Sequence, residues 1–406
     1  MSAAKFLWVA CFWPLLINVT GSASQSQIIF VSIFFTFAVL VMLSKPVVYV
    51  PYRYVLPILF TAIVLLLSSL VNQLSIARVI SDVSRFLMLV FFIVFGYNAR
   101  VECSESFSKS LLWISLAQIA FSCLVYFSFA WPLLDYFKAR LSSDPLPFHF
   151  FRFSGALGFP TEFSFFLLIG LAITGHRFLH KPSQVALVEL IPFTLLSAGI
   201  LLSVSRSGLL AATLLLILLY LHFFRSMLRL RLRERFLLPT LLLTVLGVAI
   251  WLASATFGEA ERLSIFGYLS VSNGFDDSVL HRFKELECGR RSLLGDVGVR
   301  SDICGLGVIE STFGFFLVRH GGLGLLAMLC WLIGVFYLMR ILFKADNALS
   351  WSLAVSLLAY LVTYAPFSEV IMRSKGIVIY GVILGVALQL VSRRQPGRDS
   401  HHFGMQ

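Results

Sequence analysis

The hexapeptide Ser203-Val204-Ser205-Arg206-Ser207-Gly208 interrupts an apolar tract that runs from Val185 to Phe224. An arginine at the centre of a bilayer costs roughly 2.5–3.5 kcal/mol on insertion scales. Arg206 is therefore either placed away from the centre or kept for a task. Two other stretches collect residues of similar chemistry. In "FRFSGALGFPTEF", Arg152 precedes Ser154, Gly155, Gly158 and Pro160; between about 257 and 321 lie Arg282, Glu310, Arg319 and His320. Guanidinium groups grip phosphate and carboxylate through paired hydrogen bonds, and a carboxylate or imidazole can accept the proton of a hydroxyl. Gathered on one face, such residues suit an anionic substrate.

Other chemistries find little support. There is no HxxxH, CxxC or HExxH grouping, so no metal site is predicted. "SVSRSG" lacks the GxSxG elbow of serine hydrolases, and no glycine-rich phosphate loop follows a strand-like run. Asp276 and Asp277 follow Asn273-Gly274 and read as a solvated turn.

The elements that must position these residues are membrane helices. The chain of 406 residues is 59% hydrophobic and 13% charged, with mean hydropathy +0.90. A soluble domain has about 25% charged residues, so the expected fold class is an all-α polytopic integral membrane protein. About twelve spans are predicted, near 5–19, 27–44, 54–72, 83–97, 110–129, 160–175, 185–204, 207–224, 237–256, 322–343, 350–367 and 375–392. The first, with its lone Lys5, reads as an uncleaved span rather than a signal peptide.

Nine helices are thus expected over 1–256, a large outer loop over 257–321, three helices over 322–392 and a tail over 393–406. "RSMLRLRLRER" at 225–235, within the loop 225–236, supplies five arginines and fixes the cytoplasmic side. Both termini then lie in the cytoplasm, and the polar stretch 130–159 joins 257–321 at the outer face. The formal charge of +12 is assigned to topology and to an anionic ligand outside, not to nucleic acid.

The same frame places Arg206. The 40 residues from Val185 to Phe224 would extend ~60 Å as one helix, twice the ~30 Å hydrocarbon core. The chain must turn at the only polar interruption, with Ser205 or Ser207 capping the returning helix. Arg206 then sits at the outer membrane face. Cys288 and Cys304 share the large outer loop and can pair if that side is oxidising. Closing about 15 residues would stabilise the fold by ~3 kcal/mol in the chain-entropy model.

Three segments taken together resemble the O-antigen polymerase and O-antigen ligase superfamily of bacterial membrane enzymes. "FRFSGALGFPTEFSFF" is similar to its R-x-SG-x-x-x-x-P pattern, "LLSVSRSGLLAA" to its SR-x-G turn, and "ICGLGVIESTFGFFLVRHGGLGLLAML" to the pattern closing the large loop. The resemblance covers roughly 145–345. Glu310-Ser311 stands where ligases carry His-Asn, which looks more like the polymerases.

The resemblance implies a GT-C-like glycosyltransferase of the bacterial inner membrane. It would transfer a glycan from undecaprenyl pyrophosphate onto another lipid-linked repeat unit at the periplasmic face, with inversion. Arg206, Arg282 and Arg152 would hold the pyrophosphate, and Arg319 and His320 would also touch substrate. Glu310, or alternatively His320, would be the base. No cofactor is implied, though a divalent cation stays open; a chain-length-regulating copolymerase is a further expected partner. A ligase acting on a lipid A core is the nearest alternative. A transporter or flippase of a lipid-linked or anionic substrate is the second.

Overall fold

The computed structural model describes residues 2–12, 23–72, 74–101, 103–127, 153, 155–157, 159–180, 186–203, 205–227, 284–285, 287–288, 311–345, 347–366, 370–371 and 373–393. Among these residues the fold is entirely helical, with no β-strand. In chain order the helices are α1 (Ala3–Phe12), α2 (Ala23–Leu43), α3 (Tyr52–Val71), α4 (Ile76–Asn98), α5 (Ser104–Phe127), α6 (Pro160–His180), α7 (Ala186–Leu202), α8 (Arg206–Met227), α9 (Thr312–Lys344), α10 (Ala348–Ala359) and α11 (Ser374–Arg393). A 3-10 turn at Gly155–Leu157 precedes α6, and a π-helical turn at Tyr360–Tyr364 extends α10.

Among the described residues, five helices are long and apolar enough to cross a membrane: Tyr52–Val71, Ile76–Asn98, Ser104–Leu124, Thr312–Lys344 and Lys375–Arg393. Shorter apolar helices include Glu189–Leu202, Ser207–Leu219 and Ala348–Tyr364. The long apolar helices identify a membrane protein. Large side chains on α3, such as Leu56, Phe60 and Leu67, are exposed, as lipid-facing positions should be. The predicted span 237–256 lies outside the described residues.

The architecture centres on α11, which is almost entirely buried. It packs most extensively on α4, and α9 packs most extensively on α3. Glycine sets the first contact. A Cβ on Gly385 would fall 2.1 Å from the Ile93 carbonyl oxygen, and one on Gly96 would fall 2.3 Å from that of Val382. Lipid offers little hydrophobic drive for helix pairing, so close backbone approach through small residues supplies the dispersion contacts instead.

One end of the bundle is tied by side chains that bond to backbone groups. Asn98 bridges Tyr49 through two bonds of 2.8 and 2.7 Å, and Lys45 donates to the Asn98 carbonyl. Arg393 reaches the Val101 carbonyl at 3.1 Å. Partial burial lowers the Lys45 ammonium below the usual lysine range.

Among helix starts, the two largest differences from the predicted boundaries are at α4 and α9. Helix α4 begins at Ile76 rather than near 83, because Asp82 is tolerated inside it. Helix α9 begins at Thr312 rather than near 322, so the last part of the predicted loop is helical. Ser311 caps it, accepting from Gly314 N at 2.9 Å. The helix breaks at Gly321, whose φ of 57° and ψ of −138° lie outside the helical region. Gly321 thus marks a kink within α9.

Candidate functional site

The three segments singled out in the sequence meet at one end of the bundle. The first is pinned before α6 begins. Phe153 N donates to the Leu202 carbonyl at 3.0 Å, linking it to the end of α7. Gly155 has φ 57° and donates to Ser122 Oγ at 2.9 Å; Ala156 N donates to Gln118 Oε1 at 2.7 Å. Pro160 then opens α6, a position where its missing N–H costs nothing.

The second segment makes the turn that the length of the apolar tract demands. Ser203 Oγ donates back to the Ile200 carbonyl at 2.6 Å, and Ser205 Oγ accepts from Gly208 N at 3.2 Å, capping α8. Gly208 lies against the first segment: a Cβ there would stand 2.6 Å from Ser164 Cβ. In the third segment, Ser311 donates to Glu285 Oε2 through Oγ (2.7 Å) and N (3.3 Å), fastening the start of α9 to Glu285.

The π-helical turn joins the first and third segments. Ser164 Oγ and Tyr364 OH share a hydrogen bond of 2.9 Å, and Thr312 Oγ1 and Tyr360 OH share one of 2.8 Å. Thr312 N also donates to the Ala365 carbonyl at 2.9 Å. Phe165 packs between Tyr360, Tyr364 and Tyr380 with centroid separations of 5.7, 5.1 and 4.9 Å. All four rings are buried. Single π turns inside α-helices occur frequently at functional sites, and this one holds the segments in register.

Two groups of charged residues lie beside this junction. In the first, the fully buried Asp82 accepts from Arg319 Nη1 at 2.7 Å. Its other oxygen faces His320 Nε2 at 3.5 Å, and neither atom makes a hydrogen bond. His320 Nδ1 stands 3.2 Å from Ser68 Oγ, which also donates to the His320 carbonyl at 3.1 Å. The break at Gly321 lies next to that carbonyl. Phe315 lies 5.5 Å from both the Arg85 and Arg319 guanidinium carbons, within cation–π range.

The second group joins α6 to α11. Glu162 is 2% exposed, and its Oε1 stands 3.8 Å from Arg373 Nη1. Lys375, also buried, donates to the Leu157 carbonyl at 2.8 Å. Tyr380 OH reaches the Glu162 carbonyl at 3.3 Å.

Of the predicted site residues, Arg319 and His320 are brought to the Asp82 group. Arg319 is partly exposed, whereas the His320 ring is buried. Arg206 is the first residue of α8, immediately after the turn; the placement of its side chain lies outside the described residues. Arg152, Arg282, Glu310 and Cys304 also lie outside them. Cys288 is disulfide-bonded and buried. Among the described residues no group of three or more His, Cys, Asp or Glu could hold a metal.

Asp82, Glu162, Arg373, Lys375, Tyr360 and Tyr364 were not picked out from the sequence. A charge within two residues of a predicted span boundary was the available signal for the first four. In comparison with known proteins, no family model and no curated protein sequence matches the chain.

Proposed function

We propose that the protein is a membrane glycosyltransferase, a polysaccharide polymerase acting at the periplasmic face of the bacterial inner membrane. The observation that carries this reading is the convergence of three distant segments through Phe153–Leu202, Ser164–Gly208, Ser164–Tyr364 and Thr312–Tyr360. These are the segments that resemble the polymerase superfamily; in this reading Arg206, Arg152 and the end of the large loop act together there. The reading entails about twelve spans, a GT-C-like arrangement and cytoplasmic termini.

In the proposed reaction, a sugar hydroxyl of one undecaprenyl-pyrophosphate-linked repeat unit attacks the anomeric carbon of another. The glycosidic bond forms as the carbon–oxygen bond to pyrophosphate breaks, with inversion. Arg206 and Arg282, assisted by Arg152, stabilise the charge on the departing pyrophosphate. Glu310 takes the hydroxyl proton. Arg319 and His320 border the substrate, with Asp82 holding Arg319 and Ser68 holding His320. Arginine supplies the positive charge without a cofactor, and a copolymerase would set chain length.

The test is rescue of a deletion strain by wild type, Arg206→Ala or Glu310→Gln at matched membrane levels, followed by glycan-length analysis. Wild type should restore long chains, and both variants should leave single repeat units. Polymer left on its carrier after deletion would instead identify a ligase. Normal polymer from both variants would remove Arg206 and Glu310 from the mechanism.

A second reading, a transporter of a lipid-linked or anionic substrate, draws on the buried Asp82 and His320 beside the partly exposed Arg319, because ionisable groups within membrane helices often mark translocation pathways. Flux of labelled carrier across liposomes without glycan growth would favour it.

A further inference from the structure

The Glu162 group differs from an ordinary buried ion pair. A closed arginine–carboxylate contact has N···O near 2.7–2.9 Å, as Asp82 and Arg319 do at 2.7 Å. Arg373 and Glu162 instead face each other at 3.8 Å, and Arg373 Nη1 makes no hydrogen bond although the atom is buried. Glu162 Oε2 is likewise buried without a partner. Lys375 is 8% exposed and uses one of its three donors, on the Leu157 carbonyl. These three side chains carry two positive charges and one negative.

Buried polar groups are normally hydrogen-bonded, and buried charges are normally balanced. This cluster has spare donors beside a spare acceptor and an excess of positive charge. Among the described members of the cluster, Arg373 forms the exposed end. The Arg373 side chain is 29% exposed and its guanidinium lies 4.5 Å from the Phe159 ring, itself 37% exposed. Glu162 and Lys375 lie at the buried end. The neighbouring 3-10 turn presents the Leu157 carbonyl to Lys375, so the first sequence segment forms one wall.

We propose that Glu162, Arg373 and Lys375 form a binding site for a phosphate ester that carries a hydroxyl close to its phosphate. The phosphate oxygens accept from Arg373 and Lys375 and balance the extra charge. The hydroxyl donates to Glu162 Oε2, the acceptor that a bare phosphate would leave unmatched. Phe159 gives the carbon skeleton an apolar surface. Two sources have this chemistry at a membrane face: a glycerol-bearing lipid headgroup and a glycosyl phosphate. The assignment stands on the cluster itself and does not require the polymerase reading.

The test uses the full-length protein in phosphatidylcholine nanodiscs. One arm adds phosphatidylglycerol to the discs and measures its retention by native mass spectrometry. The other titrates glucose 1-phosphate, inorganic phosphate or glucose and follows the thermal midpoint. Wild type should retain phosphatidylglycerol or be stabilised by glucose 1-phosphate, and the positive arm identifies the source.

Arg373→Gln should weaken that binding at least about tenfold, as expected for losing a charged hydrogen bond. Arg373→Lys should restore part of it. Glu162→Gln should weaken binding of the hydroxyl-bearing ligand relative to inorganic phosphate. Because Arg373 is partly exposed, its variants should keep the wild-type elution profile, and ligand competition on wild type provides a readout free of mutation. If neither ligand binds wild type, or Arg373→Gln binds as tightly as wild type, the assignment fails. Normal polymer in a strain whose purified wild-type protein binds neither ligand would overturn this site while leaving the polymerase reading intact.

Discussion

Replacing Asp82 by asparagine and Arg319 by methionine should be unequally costly, and the structure sets the order. Asp82 is fully buried in α4, with Arg319 Nη1 at 2.7 Å as its one hydrogen-bonded partner and His320 Nε2 at 3.5 Å. In Arg319→Met the carboxylate stays buried and loses that partner; leaving a buried charge uncompensated costs about 3–5 kcal/mol. In Asp82→Asn the orphaned group is Arg319, whose side chain is 31% exposed. It can turn toward water and keep its place over Phe315, so the cost discounted for solvent is about 1–3 kcal/mol. The double variant should cost less than the sum of the singles by roughly 0.5–3 kcal/mol, as for side chains in direct contact. Equilibrium unfolding in mixed micelles, followed by near-ultraviolet circular dichroism, measures all four proteins. Equal losses from the two single variants, or additivity within about 0.5 kcal/mol, would refute the view that Arg319 compensates a buried Asp82.

Other positions give equally direct tests. Tyr364→Phe removes the 2.9 Å bond to Ser164 and should cost about 0.5–1.5 kcal/mol in the same unfolding assay, while shortening the glycan if the π turn aligns the site. Gly155→Ala should destabilise by about 1–3 kcal/mol and lower membrane yield: φ is 57° there, and a Cβ would lie 2.4 Å from Gln118 Oε1. Gly322→Ala, where a Cβ meets nothing within 4 Å, should be neutral or stabilise by up to about 1 kcal/mol, providing the matched control.

The sequence disclosed features that follow from length and composition. The tract from Val185 to Phe224 is too long for one span, and the chain turns at Ser203–Ser205 as that argument requires. The apolar composition likewise points to the helical membrane fold. Features that depend on distant partners were illegible. Arg319 and His320 next to two glycines resemble a loop end; they are helical because Asp82 and Ser68, more than 200 residues earlier, receive their polar atoms. Glu162, Arg373 and Lys375 read as charges flanking spans, and only folding brings Glu162 to the start of α11. "YLVTY" has the composition of any apolar span, so nothing local announces a π turn.

The most direct test of the polymerase reading is reconstitution of the purified protein in liposomes with an undecaprenyl-pyrophosphate-linked repeat unit, with products resolved by mass spectrometry and anomeric NMR. The account predicts lipid-linked dimers and longer chains, an equal release of undecaprenyl pyrophosphate, inversion at the new linkage and loss of all three with Arg206→Ala. Substrate that crosses the bilayer unchanged, or that remains monomeric with wild-type protein under conditions where it is folded, would contradict it.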